Sequence, residues 1–434
     1  MVDVVNIYIW DTYVGAAQWD AQNQLAYFEY APNFIEKRWD IAPLKMPISS
    51  GAKIYSFPEL RKEKHAQEDT FKGLPGLLAD ALPDRYGNRL IQAWLSRNGR
   101  GDNSMNPIER LCFIGKRAMG ALEFEPAIIP NDLKSEPLEI ETLVELSKRV
   151  LQDRVNFKTN IEQEQKALLD IIRVGTSAGG ARPKALISIH NKTGEIRSGQ
   201  GKALKNYEHW LIKFDGVDGV QFGNSSGWGR IEYAYYLMAC DCQITMTESK
   251  IWEENGRAHF MTKRFDREDH DKHHIQTLCG IQHFDYNDMR SYSYEQIFET
   301  MRGLRLTYQE AEQMYRRMIF NVLAVNFDDH TKNFSFIMKK DQKWQLAPAY
   351  DLCFAYNPEN HWVSQQTLSI QGKKTGITRE DILSVGYKNN IKSPQLIYDE
   401  IESVVKNWDF YAKKADIAPS LQKMISKTLK RFEI

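Results

Sequence analysis

The sequence predicts an α+β protein of three parts, the first two rich in strands and the last mainly helical. Three observations lead there. Short apolar runs bounded by Gly, Asn and Asp recur up to about residue 268. Beyond that point helical spacing dominates, most clearly over 308–325, where Ala311, Met314, Tyr315, Met318, Ile319 and Val322 share one face. An Asp and an Asn five positions apart then follow that helix on a loop that runs into a hairpin. The expected parts are residues 1–125, 126–268 and 269–434, with Glu125-Pro126 and the Pro130-Asn131-Asp132 turn marking the first boundary.

Residues 4–10 and 25–30 read as strands of the first part. A Leu- and Pro-rich run from Leu74 to Arg85 leads into a helix through 90–95. The segment 140–151 is a helix with an acidic start and a basic end, which complements its dipole. In the second part 184–190 is a strand and Asn191-Lys192-Thr193-Gly194 its turn. Residues 209–215 form another strand, 228–240 a helix, and 257–265 an extended run. In the third part, 334–338 and 344–349 are the arms of a hairpin whose turn is 339–343, and 367–370 is strand-like.

Composition limits the function. The chain has 434 residues, 42% of them apolar, enough for two or three ordinary cores. Its formal net charge is zero, so no overall basic field argues for nucleic acid and no acidic excess for disorder. The five cysteines are odd in number and form no C-x-x-C pair, which argues against a disulfide framework or a structural zinc and for a reducing cytoplasm. The first residues lack the pattern of a signal peptide, and no run is long enough to span a membrane. A soluble cytoplasmic protein is expected.

The chemistry concentrates in Asn326-Phe327-Asp328-Asp329-His330-Thr331-Lys332-Asn333 and Tyr350-Asp351. Phosphoryl transfer needs one carboxylate to position the attacking hydroxyl. It also needs an amide and a second carboxylate to hold magnesium on the nucleotide phosphates. Asp328, Asn333 and Asp351 supply that set, at the Asp-to-Asn spacing of the protein kinase catalytic loop. Taken singly, Asp328 and Asp329 would be ordinary loop carboxylates and Asn333 a turn former. A Gly-rich run, Gly175 to Lys184, precedes a strand and could let backbone amides approach phosphates. It is not a Walker A loop, and by itself it reads more often as only a mobile loop. Lys213 lies on the apolar strand Trp210-Leu211-Ile212, where a charge needs a partner. Glu232 on the next helix is the candidate, and an edge-strand surface Lys is the alternative. Lys263-Arg264-Phe265 falls where an adenine-binding hinge would, between strands and helices. The order is that of a two-lobed protein-kinase-like fold, a β-rich N-lobe then a helical C-lobe, with an extra small N-terminal α/β domain.

Together these motifs resemble the HipA family, bacterial serine/threonine kinases that are the toxins of type II toxin–antitoxin modules. The resemblance spans essentially the whole chain. It rests on Ser177-Ala178-Gly179-Gly180-Ala181-Arg182-Pro183-Lys184, on Leu211-Ile212-Lys213, on Glu232-Tyr233 and on Lys263 to Arg267. It rests further on Gln276-Thr277-Leu278-Cys279-Gly280, on Asp328 to Asn333 and on Tyr350-Asp351. The resemblance implies that Asp328 is the catalytic base and that Asn333 and Asp351 hold Mg2+. It implies ATP contacts from Gly179, Gly180, Ala181, Arg182, Pro183, Lys184, Lys213, Lys263, Arg264, Phe265, His330, Thr331, Lys332, Asn333, Tyr350 and Asp351. Ser177 matches the serine that family members autophosphorylate, switching the kinase off by ejecting the loop. Without the resemblance it reads as a turn residue.

The resemblance also implies partners: a helix-turn-helix antitoxin, operator DNA through the antitoxin complex, and a protein substrate, an aminoacyl-tRNA synthetase being the known class. No membrane is implied. Two positions depart from some members. Lys263 stands in place of Glu, and Asp329 in place of Gly. The first changes little if the hinge acts through backbone. The second adds a negative charge beside the base and puts cation affinity in question. A catalytically weak corepressor, or a small-molecule or lipid kinase of the same fold, are the alternatives.

Overall fold

A computed structural model describes residues 2–61, 69–129, 137–151, 161–176, 180, 182–200, 206–217, 227–269 and 271–432. The chain divides into two compact units, one of residues 1–226 and 252–275, the other of residues 227–251 and 276–434.

The first unit begins with an antiparallel five-stranded sheet in the order Ile54–Tyr55, Leu25–Tyr30, Thr12–Asp20, Val4–Ile9, Leu122–Glu125. Alternation builds it: Val5, Ile7 and Ile9 are buried, and the residues between them are more exposed. A second five-stranded sheet runs Ile196–Ser198, Lys184–His190, Tyr207–Lys213, Arg257–Lys263, Ser249–Glu254. The helix expected over 90–95 extends across Arg85–Arg97. Its Tyr86, Leu90 and Ile91 share one core with Leu143 and Val144 of Ile140–Leu151, Ile171 and Ile172 of Ile161–Gly175, and Ile187, Trp210 and Met261 of the second sheet. Residues on both sides of the boundary expected at 125 therefore pack together.

A buried ion cluster closes the end of the second sheet. Asp266 accepts from Arg264 Nε at 2.8 Å and Nη2 at 2.7 Å, from Arg267 Nη1 at 2.6 Å, and from the Gly120 amide at 2.9 Å. Burial works to raise the Asp266 carboxyl, but the two guanidiniums overcome it and hold the group well below the usual carboxylate range. Gly120 lies just before the last strand of the first sheet, so this carboxylate ties the two sheets.

The second unit is mainly helical. Tyr308–Leu323 is its central helix, started by a capping box between Thr307 and Glu310 and buried over Met314, Tyr315, Met318, Ile319 and Val322. It stops two residues short of expectation, because Val325 takes a left-handed backbone with φ 54°. Trp228–Asp241, expected in the middle part, packs in this unit: Tyr235 donates to the Ala324 carbonyl at 2.5 Å and its ring meets those of Phe320 and Trp408. Four more helices follow, Arg379–Lys388, Pro394–Lys406, Trp408–Lys414 and Pro419–Arg431. The hairpin pairs Ser335–Met338 with Trp344–Leu346, a shorter return arm than expected. Residues 367–370 contribute isolated bridges, not a strand. Among the described residues, no helix is long and apolar enough to cross a membrane.

Removing one member of a buried ion cluster leaves the others uncompensated, at a cost of about 3–5 kcal/mol. Asp266→Ala is expected to lose that much unfolding free energy in urea. A loss below about 1 kcal/mol would show that the cluster does not hold the sheets.

Candidate active site

The site grows from the end of Tyr308–Leu323. Left-handed backbone is strained for a β-branched residue, yet Val325 is fully buried in it. What holds it is pairing on both sides. Ala355 donates to the Val325 carbonyl, Phe327 donates to the Ala355 carbonyl, both at 3.1 Å, and Asn326 Nδ2 donates to Asn321 Oδ1 at 2.9 Å. The loop that follows alternates. Asp328 is 50% exposed and His330 22%, whereas Asp329 and Thr331 are each 1% exposed. The fold thus turns Asp328 out and Asp329 in.

The inward turn answers the question raised by Asp329. Its carboxylate accepts from the Tyr294 hydroxyl at 2.7 Å and from the amides of Thr367 and Leu368 at 2.7 and 3.4 Å. Tyr294 OH in turn accepts from Asn321 Nδ2 at 3.0 Å, which joins this network to the one under Val325. Asp329 is a buried strut, not a second carboxylate beside Asp328 on the exposed face. Burial pushes its carboxyl up to about 7, against the hydrogen bonds from Tyr294, Thr367 and Leu368. Lys374 is a charged group that acts on it across the core.

Asn333 Nδ2 donates to the Asp328 carbonyl at 2.6 Å. A carbonyl can only accept, so the amide orientation is fixed and its oxygen is left available to a cation. His330 Nδ1 accepts from the Lys332 amide at 3.3 Å, and its Nε2 lies 3.8 Å from Asp328 Oδ1. Thr331 donates to the Phe284 carbonyl at 2.8 Å, and the Lys332 ammonium sits 4.7 Å over the Tyr286 ring. Tyr350 donates to the Lys332 carbonyl at 2.6 Å and bonds Ser335 Oγ at 2.5 Å. Its hydroxyl therefore ties the residue before Asp351 to the turn that ends in Asn333. Asp351 adopts left-handed backbone, φ 53°, a conformation that Asp tolerates better than most residues. Among the described residues no group of three His, Cys, Asp or Glu could hold a metal. The donors here suit a hard cation shared with a ligand's own oxygens.

In the first unit, Lys184 and Lys213 stand directly opposite each other in the antiparallel ladder, so both side chains leave the same face of the sheet. Lys184 is buried, and the Lys213 ammonium lies 5.8 Å from the Phe260 ring. Gly180 has φ 97°, and a Cβ there would stand 2.8 Å from Lys184 Nζ. Arg182 is half-buried, and the Pro183 carbonyl accepts from Phe214 at 3.0 Å. Ser177, Gly179 and Ala181 lie outside the described residues.

Lys263 pairs with Glu208 at 2.7 Å on the neighbouring strand. The Arg264 side chain belongs to the Asp266 cluster and its amide donates to the His209 carbonyl at 2.9 Å, while Phe265 is half-buried. Glu232 is buried on the Trp228–Asp241 helix of the second unit, whereas Lys213 belongs to the first. Sequence reasoning missed Tyr294, Asn321 and Thr367. Asn321 left a signal, a polar residue on the buried face of Tyr308–Leu323, seven positions after Met314. Tyr294 and Thr367 left none, since their roles arise from contacts between distant segments.

Residues 176–413 match the HipA-like C-terminal domain family, and residues 5–125 match the HipA N-terminal domain family. Among solved structures the chain is similar to HipA of Shewanella oneidensis MR-1, in a toxin–antitoxin complex with HipB and operator DNA. The two share 15% identity and a TM-score of 0.63, over 99% of this chain and 95% of that one. The Helicobacter pylori proinflammatory kinase CtkA aligns at 13% identity and TM-score 0.30, over 54% of this chain and 94% of its own. No curated protein matches the chain.

The inward Asp329 has a pH signature. An unfolded Asp ionises near pH 4, and burial moves the folded group to about 7. The folded state thus binds the extra proton between those values, and this contribution to stability falls as pH rises through that window. Asp329→Asn is expected to gain stability relative to the unchanged protein on going from pH 5 to pH 8, measured by urea unfolding. Equal differences at both pH values would show that Asp329 does not titrate in this way.

Proposed function

We propose that this chain, which belongs to the HipA family, is an ATP-dependent serine/threonine kinase that acts as the toxin of a toxin–antitoxin module. The observation that carries the reading is the Asn333 amide donating to the Asp328 carbonyl, beside an Asp328 side chain that faces solvent. That contact commits the amide nitrogen and offers the oxygen. In this reading it ties the base to the cation ligand.

In this reading Asp328 orients the hydroxyl of a substrate Ser or Thr and receives its proton. His330 Nε2 stands 3.8 Å from its carboxylate. Asn333 and Asp351 would hold Mg2+ with the nucleotide. Bound there, the cation neutralises charge on the phosphates. Lys184 and Lys213, opposed across the ladder, would hold phosphate oxygens, with Gly180 leaving room for their approach. The hinge role of Lys263 to Phe265 would fall to the backbone, because the side chains of Lys263 and Arg264 have partners of their own. Glu232 would be the partner of Lys213. Ser177 would be the autophosphorylated serine, and an aminoacyl-tRNA synthetase the substrate class. The Shewanella HipA structure holds HipB and operator DNA, which supports a DNA-binding antitoxin as a partner here.

Asp328→Ala is expected to fold normally, since the side chain is half-exposed, and to lose roughly a hundred- to ten-thousand-fold in phosphotransfer. The assay is labelled ATP with a cell lysate, where the unchanged protein should label one protein band. Near-normal labelling by a folded Asp328→Ala protein would remove Asp328 from the role of base.

Asp351→Ala should abolish magnesium-dependent nucleotide binding, because a hard cation on phosphates needs carboxylate oxygen. Asn333→Ala should weaken it less. Nucleotide titrations with and without magnesium decide this, and an unchanged metal dependence in Asp351→Ala would exclude that residue from the site.

A further inference from the structure

Asp84 occupies the N-cap position of Arg85–Arg97, yet its side chain does not cap its own helix. Its Oδ2 instead accepts the Gly180 amide hydrogen at 2.8 Å, from a residue 96 positions away. The Gly180 carbonyl in turn accepts from the Tyr86 amide at 3.3 Å, one of the donors that a helix start leaves free. Both backbone polar groups of Gly180 are thus held by the first residues of one helix.

The other flank of the Gly-rich run docks on the same helix. A Cβ at Gly87 would stand 2.3 Å from the Thr176 carbonyl oxygen, so the backbones touch there and only glycine fits. A Cβ at Gly175 would stand 2.9 Å from Leu90 Cδ1 and 3.1 Å from Tyr86 Cε1. Tyr86 is itself pinned by its hydroxyl to Ser147 Oγ at 2.8 Å. Residues 175–176 and residue 180 are therefore both fastened to residues 84–90, and Lys184 Nζ lies close against Gly180.

We propose that Asp84 is a positioning residue for the nucleotide loop: through it the small N-terminal part of the chain sets the backbone that leads into Lys184. Losing the anchor then loosens that backbone and weakens ATP binding. The nucleotide arm of this inference rests on the kinase reading, and the loop arm does not. A carboxylate bonding a backbone amide is among the stronger hydrogen bonds, and at about 1.4 kcal/mol per decade its loss should cost roughly tenfold in affinity.

The test uses the full-length chain. Hydrogen–deuterium exchange of peptides covering 176–184 is compared between the unchanged protein, Asp84→Ala and Asp84→Asn, and the Kd of a fluorescent ATP analogue is measured for each. Asp84→Ala should exchange faster in this peptide and bind the analogue about tenfold more weakly. Asp84→Asn keeps an acceptor oxygen and should recover most of both properties. Unchanged exchange in Asp84→Ala overturns the anchor. Faster exchange with unchanged affinity overturns its role in nucleotide binding, as does an Asn variant as impaired as the Ala variant. If the unchanged protein binds no ATP analogue, the kinase reading fails, and the exchange data still decide whether Asp84 holds the loop. A global loss of fold in Asp84→Ala would appear as faster exchange throughout, and the Asn variant then decides.

Discussion

The loop from Asp328 to Asn333 depends on one buried carboxylate. Asp329 gathers a hydroxyl and two backbone amides from segments 35 to 39 positions away, and so fixes which way the loop faces. A one-residue slip would exchange Asp328 with Asp329, placing the first in the core and the second in solvent. The strained backbone at Val325 belongs to the same arrangement. Its cost, of order 1–3 kcal/mol for such an outlier, is offset by the pairing with Ala355 and by the Asn326–Asn321 bond. A polar network of this kind is favourable only when its members are satisfied. Here Asn326, Asn321, Tyr294 and Asp329 form an unbroken line of donors and acceptors.

The same logic recurs in the first unit at larger energy. Asp266 is buried between two arginines, and burial there is tolerable because each of its oxygens has a charged donor. Arg264 is thereby a structural residue at the end of a strand as well as a neighbour of the expected hinge. The opposed Lys184 and Lys213 are the reverse case, two like charges facing one another across a ladder.

Much of this was legible in the sequence. The Asp328-to-Asn333 spacing, the helix before it and the hairpin after it are local, and each followed from periodicity or turn chemistry. Helical periodicity continues to Val325 while the helix ends at Leu323, because nothing in the sequence announces a valine in left-handed backbone. The second Asp was the larger difficulty. Two adjacent carboxylates look alike in sequence, and only burial distinguishes the inward Asp329 from the outward Asp328. Asn321 could have been singled out by its position on an apolar face, whereas Tyr294 and Thr367 act through contacts that periodicity does not encode. Asp84 belongs with them: it stands at the N-cap position of Arg85–Arg97, and its side chain bonds a residue 96 positions away.

One feature of the first unit bears on how the chain melts. Tyr86, Leu90 and Ile91 lie within the segment that matches the N-terminal family, and the core they enter is completed by Ile171, Ile187 and Trp210 of the segment that follows. Neither segment closes its apolar surface alone. Cooperative unfolding follows shared burial, not the borders of sequence families. The two segments are therefore expected to melt together, and a cleavage between them would expose a matched pair of apolar faces in place of two independent folding units.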